Sequence, residues 1–230
     1  RHEAWSTIAR KLAHEIKNPL TPIQLTIDRL KNKYSDIIDS SNKDNFSNHL
    51  KTIRKQIEQI EKLVNEFSDF ARMPKPVLKK INLLDIIDDN IFLLKEIDSS
   101  IKINLKHNEK EYWFICDSEQ ISRVFFNLVK NSIESIQEKS LKNIDFSKKI
   151  DIEIDNKNDY ISLIITDNGL GFSEENLSNI LKPYYTTKEK GTGLGLSIVN
   201  KIINDHNCKI NFIKQKIGAK ILINFPKNGN

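Results

Sequence analysis

Along the first third of the chain, apolar residues recur at spacings that alternate between four and three. Ile16, Leu20, Ile23, Ile27, Leu30, Tyr34 and Ile37 form one series, and Leu50, Ile53, Ile57, Ile60, Val64, Phe67 and Ala71 form another. A period of about 3.5 residues is the seam of helices packed side by side. The polar stretch Ser35–Phe46 between the two series reads as the turn, so the pattern predicts an antiparallel helical hairpin. Two helices cannot cover both seams alone, which leads to the expectation of a four-helix bundle made by a homodimer. The alternative is a monomer whose hairpin folds onto the rest of the chain.

Met73-Pro74-Lys75-Pro76 closes this region, because a proline pair removes backbone donors and cannot continue a helix. The expected domains are therefore an all-α hairpin over 1–73 and a second domain over 78–230. In the second domain the periodicity is mixed. Asn82–Ile97 reads as an amphipathic helix, with β-like runs at Ile101–Leu105 and Tyr112–Cys116. Asp117 or Ser118 is placed to cap a helix from Glu119 to Glu138. Lys149–Asp155 and Tyr160–Asp167 alternate as strands around the polar turn Asn156–Asp159. A helix over Leu194–His206 and strands at Lys209–Ile213 and Ala219–Phe225 follow. The sum is an α/β sandwich with helices on one face of a mixed sheet.

Composition narrows the setting without changing this organisation. With 38% hydrophobic and 29% charged residues, the chain has the balance of a globular protein. No apolar run approaches the roughly 18 residues of a membrane span, and nothing near the start resembles a signal peptide. A cytoplasmic setting with no membrane contact in this segment is expected. The net charge of +5 raises nucleic acid as a partner, but the lysines are scattered among acids and asparagines without a basic-aromatic stripe, so direct binding is not expected. Cys116 and Cys208 lie in unrelated contexts without a CxxC pair, so neither a disulfide nor a metal site is expected. The chain opens on Arg1 in what reads as mid-helix and is expected to be part of something longer.

Three motifs carry candidate chemistry. In His14-Glu15-Ile16-Lys17-Asn18-Pro19-Leu20, the seam residues Leu12 and Ile16 are expected to face the bundle core. His14 is two residues from each, about 200° around the helix, so its imidazole should face solvent. An imidazole attacking phosphorus needs a free nitrogen and an acceptor for the proton on the other, and Glu15 is adjacent. Asn18 is one turn on, on the same face, where it could hold a water. Pro19 and Pro22 remove N–H donors and should bend or weaken the helix just past the histidine.

Asp167-Asn168-Gly169-Leu170-Gly171 follows a strand directly. A carboxylate there can accept from an exocyclic amine, while the glycines let backbone approach a flat base; an ordinary turn is the alternative. Gly191-Thr192-Gly193-Leu194-Gly195-Leu196 opens a helix, where backbone N–H groups can cradle phosphate, or simply cap it. Asn127 and Asn131, at i and i+4, offer neutral oxygens to a Mg²⁺ carried mainly by phosphates.

Together these blocks resemble the sensor histidine kinases. HEIKNPL is similar to the H box, NLVKN to the N box, DNGLG to the G1 box and GTGLGL to the G2 box, in the family's order. The resemblance implies a dimerisation and histidine-phosphotransfer hairpin followed by a Bergerat-type ATP-binding domain. The context Ala13–Leu25 is similar to the NtrY type of nitrogen-regulation sensor kinase. It implies a protein-histidine kinase with ATP and Mg²⁺ as cofactors, a response regulator receiver domain as partner, and an inner-membrane sensor as the parent protein. His14 would be the phosphoacceptor, Glu15 its general base, and Asn18 the residue used in dephosphorylating the partner. Asn131 would ligate Mg²⁺ with Asn127 in support, Lys130 would lie near the phosphates, and Asp167 would bind the adenine amine. Gly169 and Gly171 would shape the base pocket, and Thr187, Lys188, Gly191, Thr192, Gly193, Leu194 and Gly195 would frame the nucleotide lid. One departure is visible: the F box normally carries two phenylalanines, and here the stretch reads Leu181-Lys182-Pro183-Tyr184-Tyr185. ATPases and chaperones of the same fold place a water-activating glutamate at the position of Asn127; an amide cannot act as a base, which favours a kinase. The remaining alternative is a scaffold that holds nucleotide without chemistry.

Overall fold

The computed structural model describes residues 2–142, 146–182 and 193–227. The chain separates into two compact units, one built on Arg1–Pro74 and the other on Lys75–Thr187 and Gly195–Asn230. In the first, helices α1 (His2–Tyr34) and α2 (Ser40–Ala71) pack against each other. Ala13, Leu20 and Ile27 on α1 and Leu50, Ile57, Val64 and Ala71 on α2 are buried, each series at a seven-residue step. The alternate seam positions are not: Ile16, Ile23, Leu30, Ile53 and Ile60 remain 37–45% exposed. The hairpin thus buries one of its two seam layers and leaves the other facing outward.

One expectation about this unit changes. The connection spans residues 35–39 and is shorter than the polar stretch suggested, because Ser40–Phe46 is already helical. Those first turns lack apolar spacing, and Phe46 at their end packs on the cluster of Leu20, Ile27, Leu50 and Ile57. Helix α1 runs unbroken through Pro19 and Pro22. Among the described residues no helix is long and apolar enough to cross a membrane.

The second unit contains β1 (Lys79–Asn82), α3 (Leu83–Lys95), β2 (Lys102–His107), β3 (Trp113–Cys116), α4 (Ser118–Lys142), β4 (Lys149–Asn156), β5 (Tyr160–Asp167), α5 (Glu174–Asn179), α6 (Gly195–Asp205), β6 (Lys209–Lys214) and β7 (Ala219–Pro226). Five strands form a mixed sheet in the order β2-β4-β5-β7-β6, with β2 parallel to β4 and the other pairs antiparallel. Period-2 alternation turns Ile150, Ile152, Ile154, Ile161, Leu163, Ile165, Ile221, Ile223 and Phe225 inward. Onto that side α4 packs against β4 and β5, α6 against β6, and α3 against α4. Strands β1 and β3 pair separately, Lys79 opposite Cys116. Strand β1 and the six-residue α5 carry too few residues for a periodic signal, and the sequence pattern missed both. Caps are clear: Asn82 accepts from the Leu84 N–H at the head of α3, and Asp117 accepts from Gln120 at the head of α4. Cys116 and Cys208 are free and buried, and burial pushes both thiols up to about 12.

Candidate functional site

Strand β5 ends on Asp167, whose carboxylate is buried at 5% exposure. Its Oδ1 accepts the N–H groups of Gly169 at 2.9 Å and Ala219 at 3.3 Å. Its Oδ2 accepts the Ser132 hydroxyl from α4 at 2.8 Å. Burial, outweighing those donors, raises this carboxyl above its ordinary value. The surrounding backbone needs glycine. A Cβ on Gly218 (φ +71°) would stand 1.8 Å from the Asp167 carbonyl oxygen, and one on Gly169 would meet Ser135 Oγ at 2.4 Å. The turn is pinned from both sides: the Leu170 N–H donates to Ser135 Oγ at 2.9 Å, and Lys139 Nζ to the Asn168 carbonyl at 2.6 Å. Asn168 itself bonds Ser147 and Lys149, a structural task.

The resulting cradle holds a carboxylate with acceptor capacity left on Oδ2, since a carboxylate oxygen can take two hydrogen bonds. Such a group can accept one further donor from a ligand. Ser132, Ser135, Lys139, Gly218 and Ala219 all shape it and were not singled out from sequence. The one available signal was Gly218 immediately before the last strand.

Helix α4 carries the amide pair as well. Asn127 Nδ2 donates to its own helix at Arg123 O, 2.9 Å, which leaves Oδ1 turned outward. A Cβ on Gly195, the first residue of α6, would lie 3.6 Å from that oxygen. Asn131, half-buried, lies one turn further along the same stripe as Ser135. Lys130 reaches Glu134 at 4.0 Å, an exposed pair worth little by itself. Gly193 takes a positive φ of 69° and Leu194 is buried ahead of the α6 N-terminus. Thr187, Lys188, Gly191 and Thr192, and Pro183-Tyr184-Tyr185 of the F-box stretch, lie outside the described residues. Among the described residues no group of three or more His, Cys, Asp or Glu side chains could hold a metal ion. The outward Asn127 oxygen beside a helix N-terminus fits a Mg²⁺ that arrives on phosphates and takes only a neutral ligand or two from protein.

In the first unit, His14, Glu15 and Asn18 all stand exposed on α1. Within the single hairpin Leu12 and Ile16 are both over 40% exposed, on the layer left for a partner, and Ala13 is the buried neighbour. Lys11 approaches Glu15 at 3.9 Å, a solvent-exposed pair that leaves the carboxylate available.

Comparison with known proteins places these features in a family. Residues 4–76 match the His Kinase A (phospho-acceptor) domain, and residues 116–229 match the histidine kinase-, DNA gyrase B- and HSP90-like ATPase domain. The chain belongs to the sensor histidine kinases. Proteins of the NtrY kind are among its relatives. A protein of Rickettsia felis described as an NtrY-like sensor histidine kinase is 40% identical over 98% of this chain and 36% of its own length. The nitrogen regulation protein NtrY of Azorhizobium caulinodans is 35% identical over 100% of this chain and 30% of its own length. The chain therefore spans about a third of the length of these curated relatives. Among solved structures, the catalytic domain of histidine kinase ThkA covers 65% of the chain with a TM-score of 0.58 and 27% identity, matched over 95% of its own length. ThkA in complex with response regulator protein TrrA covers 96% with a TM-score of 0.68 at 24% identity, matched over 61% of its own length, a likeness of fold.

Proposed function

We propose that this chain binds ATP at the Asp167 cradle, transfers the γ-phosphoryl group to His14, and passes it on to an aspartate of a response regulator receiver domain. The observation that carries the reading is the Asp167 cradle: a buried carboxylate, held by two N–H groups and a hydroxyl, that keeps one acceptor direction for the adenine amine. Gly169 and Gly171, packed closely on Ser135 and Gly218, shape the base site, and the N-terminus of α6 at Gly195, beside Asn127, faces the phosphates together with Lys130 and Asn131. Thr187, Lys188, Gly191, Thr192, Gly193 and Leu194 belong to the same nucleotide lid in this reading. A Mg²⁺ ligated by Asn131 would neutralise charge on the phosphates.

In the transfer step a nitrogen of His14 attacks the γ-phosphorus. The N–P bond forms as the bond to the β,γ-bridging oxygen breaks, ADP leaves, and Glu15 takes the imidazole proton. Asn127 is an amide where a hydrolytic relative would need a base, which favours transfer to histidine over transfer to water. Phosphatase action toward the partner is assigned to the same face, with Asn18 orienting the water. The exposed layer of Ile16, Ile23, Ile53 and Ile60 supports a homodimer. We assign residues 1–73 to dimerisation and phosphotransfer, 78–230 to ATP binding, and the whole to the cytoplasmic side of a membrane-anchored sensor.

Radiolabelled ATP tests the central claim. The chain should acquire an acid-labile, alkali-stable label, as a phosphoramidate requires, and His14→Gln should abolish it while nucleotide affinity stays within about twofold. An acid-stable label that survives the substitution would sink the assignment.

A further inference from the structure

Helices α4 and α6 meet at a second junction, away from Asn127 and Gly195. The Asp117 N–H donates to Nε2 of His206 at 3.0 Å, and Nδ1 of the same ring lies 2.8 Å from the Ile202 carbonyl oxygen. A carbonyl can only accept, so Nδ1 carries the proton and Nε2 is the acceptor that Asp117 needs. The ring is buried, held from both sides. Behind it α6 is closed: Asn207 takes φ 54°, and the N–H groups of Asn207 and Cys208 return to the Asn204 and Ile203 carbonyls at 3.0 and 2.9 Å. This Schellman arrangement fixes where His206 stands. Asp117 is itself an anchor. Its Oδ1 caps α4 through Gln120 at 3.1 Å, and its Oδ2 accepts the Val77 N–H at 2.8 Å from the segment that precedes β1.

Two contacts then define one register. Helix α6 runs antiparallel to α4, with His206 at Asp117 and Gly195 at Asn127. Over that stretch the rise is about 15 Å on each helix, and a slip of one turn would move Gly195 about 5.4 Å along Asn127. Apart from Ser197 near its head, the buried face of α6 is Ile198, Val199, Ile202 and Ile203, apolar and of similar size, so packing along this part of the helix discriminates weakly between neighbouring registers. A directional hydrogen bond does discriminate. We propose that His206, through the Asp117 N–H, is a positioning residue of the nucleotide site: it sets the register of α6 on α4, and with it the spacing between the α6 N-terminus and the amides of Asn127 and Asn131. The proposal rests on the reading of this site as an ATP site.

His206→Phe keeps ring volume and removes the acceptor, whereas His206→Gln returns an oxygen near the place of Nε2. Calorimetry with Mg-ADP on the full chain, well below the melting temperature, should show Phe weakening affinity roughly 10-fold or more, since small misplacements are costly at such sites. Gln should stay within about threefold of wild type, because it can keep the Asp117 bond. Melting curves run alongside separate the roles: lowered stability with unchanged affinity in the folded Phe variant overturns the register role alone. So does equal loss of affinity in both variants. Should Phe not fold, nitrogen-15 NMR of the wild-type ring decides. The Nδ1–H tautomer, kept in the ADP complex, supports the proposal, and a proton on Nε2 overturns it. A wild-type chain that binds no nucleotide would sink the ATP reading and this inference together.

Discussion

Replacing Asp167 by asparagine isolates the proposed adenine contact, because the local geometry dictates how the amide must sit. Two N–H groups, from Gly169 and Ala219, converge on Oδ1, so the asparagine carbonyl oxygen has to stay there. The amide nitrogen then replaces Oδ2. The Ser132 hydroxyl, now a donor to Oδ2 at 2.8 Å, can rotate and accept instead, so the fold is little disturbed. A ligand amine cannot rotate out of being a donor. Two donors facing each other in a buried site cost about 1–3 kcal/mol, which is about 5- to 150-fold in Kd. Calorimetric titration with ATP and with a nucleotide lacking the 6-amine gives the reading. Wild type should prefer ATP, and Asp167→Asn should lose most of that preference. Unchanged ATP affinity in a folded variant would mean that the base lies elsewhere. Stability supplies a second check, with its sign set by the raised pKa of Asp167. A raised carboxyl binds more protons folded than unfolded, so it penalises the folded state at neutral pH, and that penalty fades as pH falls through the folded pKa toward the ordinary 3.8. The variant should accordingly be no less stable than wild type at pH 7, and the two melting curves should draw together in acid.

Two further substitutions test the first unit. Ile60→Asp should convert a dimer to a monomer in light scattering while the hairpin stays helical, because Ile60 is 43% exposed in the single hairpin and its charge is desolvated only on association; an unchanged dimer would defeat the packing argument. Asn18→Ala should leave autophosphorylation within a few-fold and slow dephosphorylation of the receiver roughly 10- to 100-fold, since only hydrolysis needs a positioned water; parallel changes in both rates would remove the water-orienting role.

How far the sequence spoke depended on how many residues each feature spends on a repeating signal. The hairpin, α4 and the β4–β5 pair announce themselves through many periodic positions, and apart from the start of α2 their boundaries fall within a few residues of expectation. Ser40–Phe46, β1 and α5 are too short or too polar to do so. The site was legible where one residue type is chemically demanding, as at Asp167 and the glycines beside it. Ser132 and Ser135 were silent, since a serine on a helix has many uses and only the third dimension brings these two to the DNG turn. Gly218 and Ala219, some fifty residues further along the chain, reach Asp167 through the β5–β7 ladder, in which Ala219 pairs with Asp167, a pairing that no local pattern encodes.

The hairpin also resolves a conflict that periodicity alone left open, namely how a helix can be packed on two sides and still present its histidine. The buried layer runs through Ala13, Leu20 and Ile27, and the exposed layer through Ile16, Ile23 and Leu30. At about 100° per residue, the second layer lies about 60° to one side of the first, whereas His14 lies about 100° to the other. A partner seated on the exposed layer therefore covers a direction about 160° away from the imidazole. The exposed seam and the proposed phosphoacceptor His14 thus lie on opposite flanks of one helix, and Asn18, one turn beyond His14, shares its open flank. A larger residue at Ala13, the buried position beside His14, should push the two helices apart at the level of His14 first.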